Sequence, residues 1–547
     1  MMNPAAAASR TRPNRTAMRS PLSKLCALAA ALLCWAHAAQ PQPNIILFLV
    51  DDMGWEDSSV PFWRAADGSP RPVFLNARYR TPNMQRLADA GMLFTRAYAS
   101  PVCSPSRCSI ISGMNAARHR VTNWTLLRDT GTDEPNCPML PPRDWCVNGI
   151  QPQGTAPQGQ SRHPLTEEPF TYSMQRPYAV CTPLPELLRQ RGYVTIHCGK
   201  AHWGAKDTPG ANPTLLGFDY NIAGSEIGGL ADYRGRTGYG PGRFTVRGMD
   251  KPEYRDNDTF LTEALTREAI ATLQQATADP RHAGKPFFLY MAHYAVHCPL
   301  DERAHDARFS YEDPHDGHPW SEAERNYAAL IEGMDKSLGD LMQWLQERGL
   351  RGNTIVIFMS DNGGLALPSG GRMGDTLSNY PLRAGKGTCY EGGIRVPLIV
   401  CWPGTTRPRS ICTTPVVCED LYPTILQMAG ATAAPETVQV VDGQSLLPKL
   451  QGQGEPAAAP RPILFHFPHN WVRHAPGTAY SPQSALVYGD FKLIIFHETG
   501  RCELYNLADD ISERHDLSQE QPAKLQEMIR LMNERLQSTR ALPSRKR

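Results

Sequence analysis

The chain has 547 residues, with 56 Lys and Arg against 54 Asp and Glu and a formal net charge of +2. That length buries a substantial core and accommodates a large domain plus a smaller one. Near-neutrality argues against nucleic acid or an anionic membrane surface as the main partner, so any attraction for an anionic substrate must come from a local site.

Residues 1–39 read as a secretory signal peptide. Arg10, Arg12, Arg15, Arg19 and Lys24 make its basic part, Leu25 to Trp35 its apolar part, and Ala36-His37-Ala38 a small-x-small cleavage site. The apolar run is short for a membrane span, and no later stretch is apolar for long enough to cross. A soluble exported protein is expected, without a membrane span after signal removal: periplasmic or secreted, and lysosomal or extracellular if the source is eukaryotic. Of the 14 cysteines, Cys26 and Cys34 fall in the leader. Some of the others should pair in an oxidising compartment, with Cys137 and Cys146 or Cys181, and Cys412 and Cys418, as local candidates. No CxxC…CxxC or CxxC…HxxxH spacing points to structural zinc.

Pro43 to Val50 is a largely apolar run, as in a strand buried on both faces, and it ends in Asp51-Asp52-Met53-Gly54. Carboxylates there would sit at the carboxyl end of a strand, where open α/β sheets bind ligands, and two adjacent acids repel unless a cation offsets them. Thr81-Pro82-Asn83 opens a helix over Met84 to Ala90 that Gly91 closes, and Met92-Leu93-Phe94 is a short apolar run. Residues 124–182 read as a long surface excursion without sustained periodicity. A short helix, Pro183 to Arg191, precedes a strand over Tyr193 to His197, after which come Cys198-Gly199-Lys200-Ala201-His202. Lys200 and His202 would share a side if that segment is extended.

Residues 205–250 are Gly-rich, include Tyr220, Tyr233 and Tyr239, and read as a substrate-facing loop. Phe260 to Gln275 has a helical pattern. A third buried strand, Lys285 to Ala292, is followed by His293, Tyr294 and His297. Ser321 to Leu345 is amphipathic, with Leu330, Met334, Leu338, Leu341 and Leu345 as its core stripe. Asn353 to Met359 is a β-branched strand that leads to Ser360-Asp361-Asn362-Gly363-Gly364, and Lys386 follows in a Gly-rich segment. Pro397 to Trp402 is another strand and Cys418 to Ala429 a helix. The alternation predicts an α/β fold: a large, doubly wound, mostly parallel sheet with helices on both faces. Past an Ala/Pro/Gly linker at 452–461, short strands at 463–467, 485–488, 491–496 and 503–505 and a helix over Ala523 to Leu536 predict a small C-terminal antiparallel sheet with one helix, serving as a structural cap. The expected organisation is a catalytic domain at 40–451 and an α+β subdomain at 462–547.

The strand-end groups Asp51, Asp52, Asp361 and Asn362 are all oxygen ligands, which suit calcium or magnesium and not zinc. Lys200, His202, His297, Arg107 and Lys386 bring the positive charge that an oxyanion needs.

Pro101 to Gly113 reads PVCSPSRCSIISG, a C-x-P-S-R string at the start of a helix. Together with the T-P-N-x-x-x-L-A-x-x-G unit before it and the E-L-Y-N-L string near the end, it resembles the type I sulfatases of the alkaline phosphatase superfamily, from Asn44 to about Leu517. The resemblance implies that Cys103 is oxidised to formylglycine (3-oxoalanine) by a separate maturation enzyme, and that its hydrate is the nucleophile. It also implies that Asp51, Asp52, Asp361, Asn362 and residue 103 hold calcium, with magnesium as the alternative. Arg107 would steady the nucleophile, Lys200, His297 and Lys386 would bind sulfate oxygens, and His297 or Lys386 would protonate the leaving alcohol. His202 would then take a proton from the remaining hydroxyl to release sulfate. Val296, where many relatives have proline, and Cys108 are departures that remove no functional group.

The expected activity is sulfatase action on a sulfated carbohydrate, since Trp, Tyr and polar residues in the loops at 124–182 and 205–250 suit a sugar. Two alternatives are a phosphate ester hydrolase of the same superfamily and a non-catalytic binder of sulfated glycans. Asn123-Trp124-Thr125 and Asn257-Asp258-Thr259 fit the N-glycosylation pattern of a eukaryotic secreted protein.

Overall fold

Every residue of strand β1 (Asn44–Val50, NIILFLV) is buried, as expected for the middle of a sheet covered on both faces. The structure, a computed structural model, describes residues 42–65, 67–162, 169–313, 317, 319–366, 378–431, 436–453 and 460–547. The expected signal peptide and most of the expected linker lie outside the described residues. Residues Pro43–Arg547 form one unit.

Helix α1 (Pro82–Ala90) starts after Thr81 with proline at its first turn, where the missing N–H costs nothing, and leads into β2 (Met92–Tyr98). Helix α2 (Cys103–Ser112) is buried along its whole length. Then come α3 (Leu184–Gln190), β3 (Val194–Gly199), β4 (Tyr220–Ile222), α4 (Leu261–Ala278) and β5 (Phe287–Ala292). Helix α5 (Glu322–Glu347) is nucleated by a Ser321/Glu324 capping box, and its expected apolar stripe is buried. Next are β6 (Thr354–Ser360), β7 (Arg395–Cys401), β8 (Ser410–Cys412) and β9 (Val416–Val417). The expected helix at 418–429 is a 3-10 turn over Cys418–Asp420 followed by α6 (Leu421–Met428).

These strands make one nine-stranded sheet in the order β8–β2–β7–β6–β1–β5–β3–β4, with β9 also on β2. All pairings are parallel except those of β7, which runs against β6 and β2. The reversal follows from the connection. Residues 361–366 and 378–394 stay at the carboxyl edge, where Gly363 N meets the Gly393 carbonyl (3.0 Å), so the next strand descends from there.

The C-terminal part is a four-stranded antiparallel sheet, β10 (Ile463–Phe467), β11 (Gln483–Tyr488), β12 (Phe491–Phe496) and β13 (Cys502–Asn506), covered by α7 (Pro522–Thr539). Leu464, Leu486, Leu493, Leu504, Met528 and Met532 form its core.

Three expectations need correction. Residues 124–182 are more than a surface excursion: Trp145, Val147 and Ile150 are buried, and short strands pair Ile150–Pro152 with Ala179–Cys181 and Gln158–Arg162 with Pro169–Ser173. Met139–Leu140 pairs with the C-terminal Arg545–Lys546. The expected cysteine pairs are not formed among the 12 described cysteines. Cys137 Sγ lies 3.7 Å from the Val472 carbonyl and from His474 Nδ1, and Cys418 Sγ lies 3.5 Å from Glu419 Oε2, so each meets another partner. Asn123 is fully buried and out of reach of glycosylation in the folded chain, whereas Asn257 is exposed. Among the described residues no helix is long and apolar enough to cross a membrane.

Candidate active site

Strand register builds the centre of the site. Val50 lies opposite Ser360 in the β1–β6 ladder, so Asp51-Asp52 and Asp361-Asn362 leave the sheet side by side. Ala292 lies opposite Gly199 in the β5–β3 ladder, which sets Lys200 on the same edge. The loop after β5 closes onto β1, with Asp51 N donating to the Ala295 carbonyl (2.9 Å) and Val296 N to the Asp51 carbonyl (2.7 Å).

One carboxylate oxygen from each of Asp51, Asp52 and Asp361 lies within 4.8 Å of the others, and all three residues are buried. Lys200 Nζ donates to Asp51 Oδ2 (2.6 Å), and Lys386 Nζ (2.8 Å) and Asn362 Nδ2 (2.7 Å) both donate to Asp52. Arg107 Nε donates to Asp361 Oδ2 (2.8 Å) and its Nη1 to the Lys200 carbonyl (2.7 Å). Buried Asp51 Oδ1 and Asn362 Oδ1 accept no hydrogen bond from the protein. Two orphaned oxygens inside a buried carboxylate cluster are what a hard divalent cation satisfies, so the donor set fits one. Asp52 sits in the left-handed region at φ 63°, a strain tolerated where the surroundings over-determine it.

Burial pushes the Asp51 carboxyl well above the usual carboxylate range, with Lys200 opposing. Burial acts the same way on Asp52, but Lys386, His297 and Lys200 outweigh it and hold that carboxyl low. The Lys386 ammonium is disfavoured by burial, yet Asp52 overcomes this and keeps it firmly charged. His297 is pushed down to about 3 by burial and by Lys386. Burial also raises the Cys103 thiol, so as a plain thiol it is a poor thiolate nucleophile.

A cavity of about 540 Å³ opens over this cluster, and Asp52, Cys103, His202, His297 and Lys386 line it. Arg107, Lys200, Asp51, Asp361 and Asn362 are buried but do not line that cavity. The extended geometry expected for Lys200 and His202 is absent. His202 is left-handed (φ 57°), so the chain turns between them. His202 Nε2 reaches the Thr125 carbonyl at 2.8 Å. Gly228 lies against the His202 ring, where a Cβ would come within 2.1 Å of Cε1, so no larger residue fits. His293, next in line after β5, instead bonds Ser337 in the core.

Much of the remaining wall comes from the two loops expected to face substrate, and its C-terminal contribution was not legible beforehand. Trp124 and Leu126 come from the excursion, Gly228, Gly229 and Phe244 from the Gly-rich loop, and Trp471 and Val472 from the segment after β10. The C-terminal part is therefore more than a structural cap. Tyr233 and Tyr239 face the core rather than substrate, and Tyr233 Oη donates to the His297 carbonyl (2.6 Å). The Gly-rich composition of 205–250 was the one available signal for close approach to the site. Nothing local marks Trp471.

The sulfatase family model matches residues 43–144 and 146–431. A second model, N-sulphoglucosamine sulphohydrolase C-terminal, matches residues 385–542. A sulfatase of Formosa agariphila is 30% identical over 531 residues, covering 89% of this chain and 86% of its own. The N-acetylgalactosamine-6-sulfatase of Canis lupus familiaris is 31% identical over 451 residues, covering 81% and 72%. The crystal structure of Ps i-CgsB in complex with k-i-k-neocarrahexaose superposes with a TM-score of 0.63 at 27% identity, covering 90% of this chain and 92% of that one. The PsFucS1 sulfatase from Pseudoalteromonas sp., 20% identical with a TM-score of 0.59 over 96% of each chain, shares the fold.

Proposed function

Because the chain belongs to the sulfatase family and is a sulfuric ester hydrolase, we propose that it is an exported enzyme that removes sulfate from a carbohydrate. The observation that carries this reading is that Cys103, at the start of α2, shares a cavity with Asp52, His297 and Lys386 directly over a buried oxygen cluster that Lys200 also pairs with. The carbohydrate is supported by relatives named for N-acetylgalactosamine 6-sulfate and by the neocarrahexaose in a solved relative.

In this reading Asp51, Asp52, Asp361 and Asn362, together with residue 103, hold a calcium or magnesium ion. Such a cation supplies Lewis-acid polarisation of the sulfate and offsets the buried carboxylates. A separate maturation enzyme converts Cys103 to formylglycine, whose hydrate supplies the nucleophile toward sulfur.

The other groups follow from their hydrogen bonds. Arg107 pins Asp361 at 2.8 Å and lies 3.9 Å from Asp51, which fixes the oxygen cluster beside residue 103. Lys386 and His297 both face the cavity, where Lys386 donates to a sulfate oxygen and Lys200 reinforces it from behind Asp51. His297 Nδ1 lies 2.9 Å from the Cys298 carbonyl, which can only accept, so the neutral ring carries its proton there and presents Nε2 as an acceptor. Lys386, held charged by Asp52, is then the better proton donor to the leaving alcohol. The same logic protonates His202 Nε2 toward the Thr125 carbonyl. This leaves Nδ1, which has no protein partner, as the base that accepts a proton from residue 103.

The test is turnover by matured full-length protein of position-defined sulfated monosaccharides, 4-nitrocatechol sulfate and 4-nitrophenyl phosphate. Release of sulfate from at least one sugar is expected, together with a formylglycine mass at residue 103. Faster hydrolysis of the phosphate, or an unmodified thiol in active enzyme, would overturn the reading.

A further inference from the structure

Beyond the sulfate-binding end, the cavity wall is nearly bare of charge. Among the described residues lining it, Arg303 is the one charged side chain away from that end, and its guanidinium is already held by Asp301 at 2.6 Å. The lining also holds two indoles, Trp124 and Trp471, from segments more than 300 residues apart.

These two segments are riveted together. His469 is fully buried and bridges them: its Nε2 lies 2.7 Å from Thr122 Oγ1, and its Nδ1 lies 3.1 Å from both carboxylate oxygens of Asp133. Asn470 N donates to Asp133 Oδ1 (3.0 Å), Glu134 N to the Asn470 carbonyl (2.9 Å) and Asn470 Nδ2 to the Met139 carbonyl (2.6 Å). Thr132 Oγ1 donates to the Trp124 carbonyl (2.6 Å), and the Trp145 ring packs edge-on against His469 at 4.9 Å. Thus Thr122 stands two residues before one indole and His469 two residues before the other. Trp471 also leans on the backbone beside Lys386. A Cβ on Gly387 would come within 2.0 Å of its Cε3, and Gly387 N is tied to the Pro101 carbonyl at 2.8 Å.

We propose that Trp124 and Trp471 form the clamp that receives the apolar C–H face of the sulfated pyranose, and that the Thr122–His469–Asp133 bridge is its positioning element. This proposal rests on the carbohydrate reading above. Indoles recognise a flat ring face with little entropic cost, and a wall without other free donors selects by stacking rather than by hydroxyl pattern. Ring identity is therefore read by shape at the indoles, and sulfate by charge at Lys386. Trp471 touches the segment that carries Lys386, so the two readings are made in register.

The experiment compares wild type, Trp471→Ala, Trp471→Phe and Thr122→Val as matured full-length enzyme. It measures KM for the sulfated monosaccharide that wild type turns over fastest, the inhibition constant of inorganic sulfate, and the melting temperature. Trp471→Ala should raise KM by about tenfold, a stacking contribution of the usual size, while the sulfate inhibition constant stays within about twofold. Trp471→Phe should recover most of the loss, and Thr122→Val should raise KM by about threefold with the same constant inhibition by sulfate. An unchanged KM in Trp471→Ala overturns the clamp, as does a parallel shift of KM and sulfate inhibition, which would mark a merely structural role. Wild type that cleaves 4-nitrocatechol sulfate but no sulfated sugar overturns the carbohydrate reading itself, and with it the sugar clamp.

Discussion

Two parts of the cavity differ in how the chain reaches them. At the sulfate end, most groups leave β1, β3, β5 and β6, or enter α2, near positions that ladder register determines, such as Val50 opposite Ser360, and Lys386 is tied there by its backbone N–H to the Gly364 carbonyl (3.0 Å). The indole wall, Trp124 and Trp471, stands instead on irregular segments tied together by one buried histidine and a carboxylate. The first end is rigid because many backbone hydrogen bonds share the load. The second is adjustable, since a few side chains determine it. A fold that keeps its chemistry on strand ends and its selectivity on bridged loops can change substrate without disturbing the nucleophile.

Breaking the first end should therefore be catastrophic for rate and mild for the fold. Cys103→Ala removes the residue on which chemistry depends but deletes one sulfur from a position already small and buried. Turnover of 4-nitrocatechol sulfate should fall by at least about 10⁴-fold, with the melting temperature little changed. Activity retained in that variant would refute the nucleophile assignment.

Chelation tests the oxygen cluster. With Asp51, Asp52 and Asp361 crowded together and two oxygens orphaned, removal of a cation leaves buried charges compensated only by Lys200, Lys386 and Arg107. EDTA should lower kcat by about 10²–10³-fold and also lower the melting temperature, and calcium or magnesium should restore both. Indifference to chelation would remove the cation from the scheme. The indole wall should be insensitive, so inhibition by an unsulfated sugar, where measurable, should not depend on the cation.

How much of this was visible beforehand follows from the same contrast. Apolar runs ending in Asp51-Asp52, Lys200 and Asp361-Asn362 were legible because a buried strand announces itself and its next residues must fall at one edge. Arg107 was legible from the C-x-P-S-R string that resembles the sulfatase signature. The reversal of β7 was not, since an apolar strand carries no mark of direction. The turn at His202 was hidden for a similar reason, because its left-handed backbone and the contact of its ring with Gly228 arise only in the folded chain. Tyr233 and Tyr239 misled because aromatic residues in Gly-rich loops serve cores as readily as ligands. Trp471 was illegible because its partner segment lies at Thr122 and Asp133, a distance along the chain over which no local pattern acts.

The smallest expected effect concerns what lies behind α2, the helix that carries Cys103. Glu419 is buried beneath it, and its Oε1 accepts from Asn115 Nδ2 at 2.8 Å. Unlike the carboxylates of the sulfate end, it has no cation to itself, because the Arg461 guanidinium pairs with Asp420. Burial, reinforced by Asp420, pushes its carboxyl up from the usual 4.5 to about 7. The sign of the linkage is fixed by that direction. Below the unfolded value both states hold the proton and the neutral group is well accommodated. Between about 4.5 and 7 the unfolded chain releases its proton first, so stability falls as pH rises, and beyond that the loss is complete. Glu419→Gln keeps the acceptor for Asn115 and has no proton to lose. Its stability relative to wild type should rise between pH 5 and pH 7.5 by an amount on the order of 1 to 3 kcal/mol, read as a growing difference in melting temperature. A pH-independent difference would mean that Glu419 is ionised throughout. The charge compensation seen at the sulfate end would then extend beneath α2 as well.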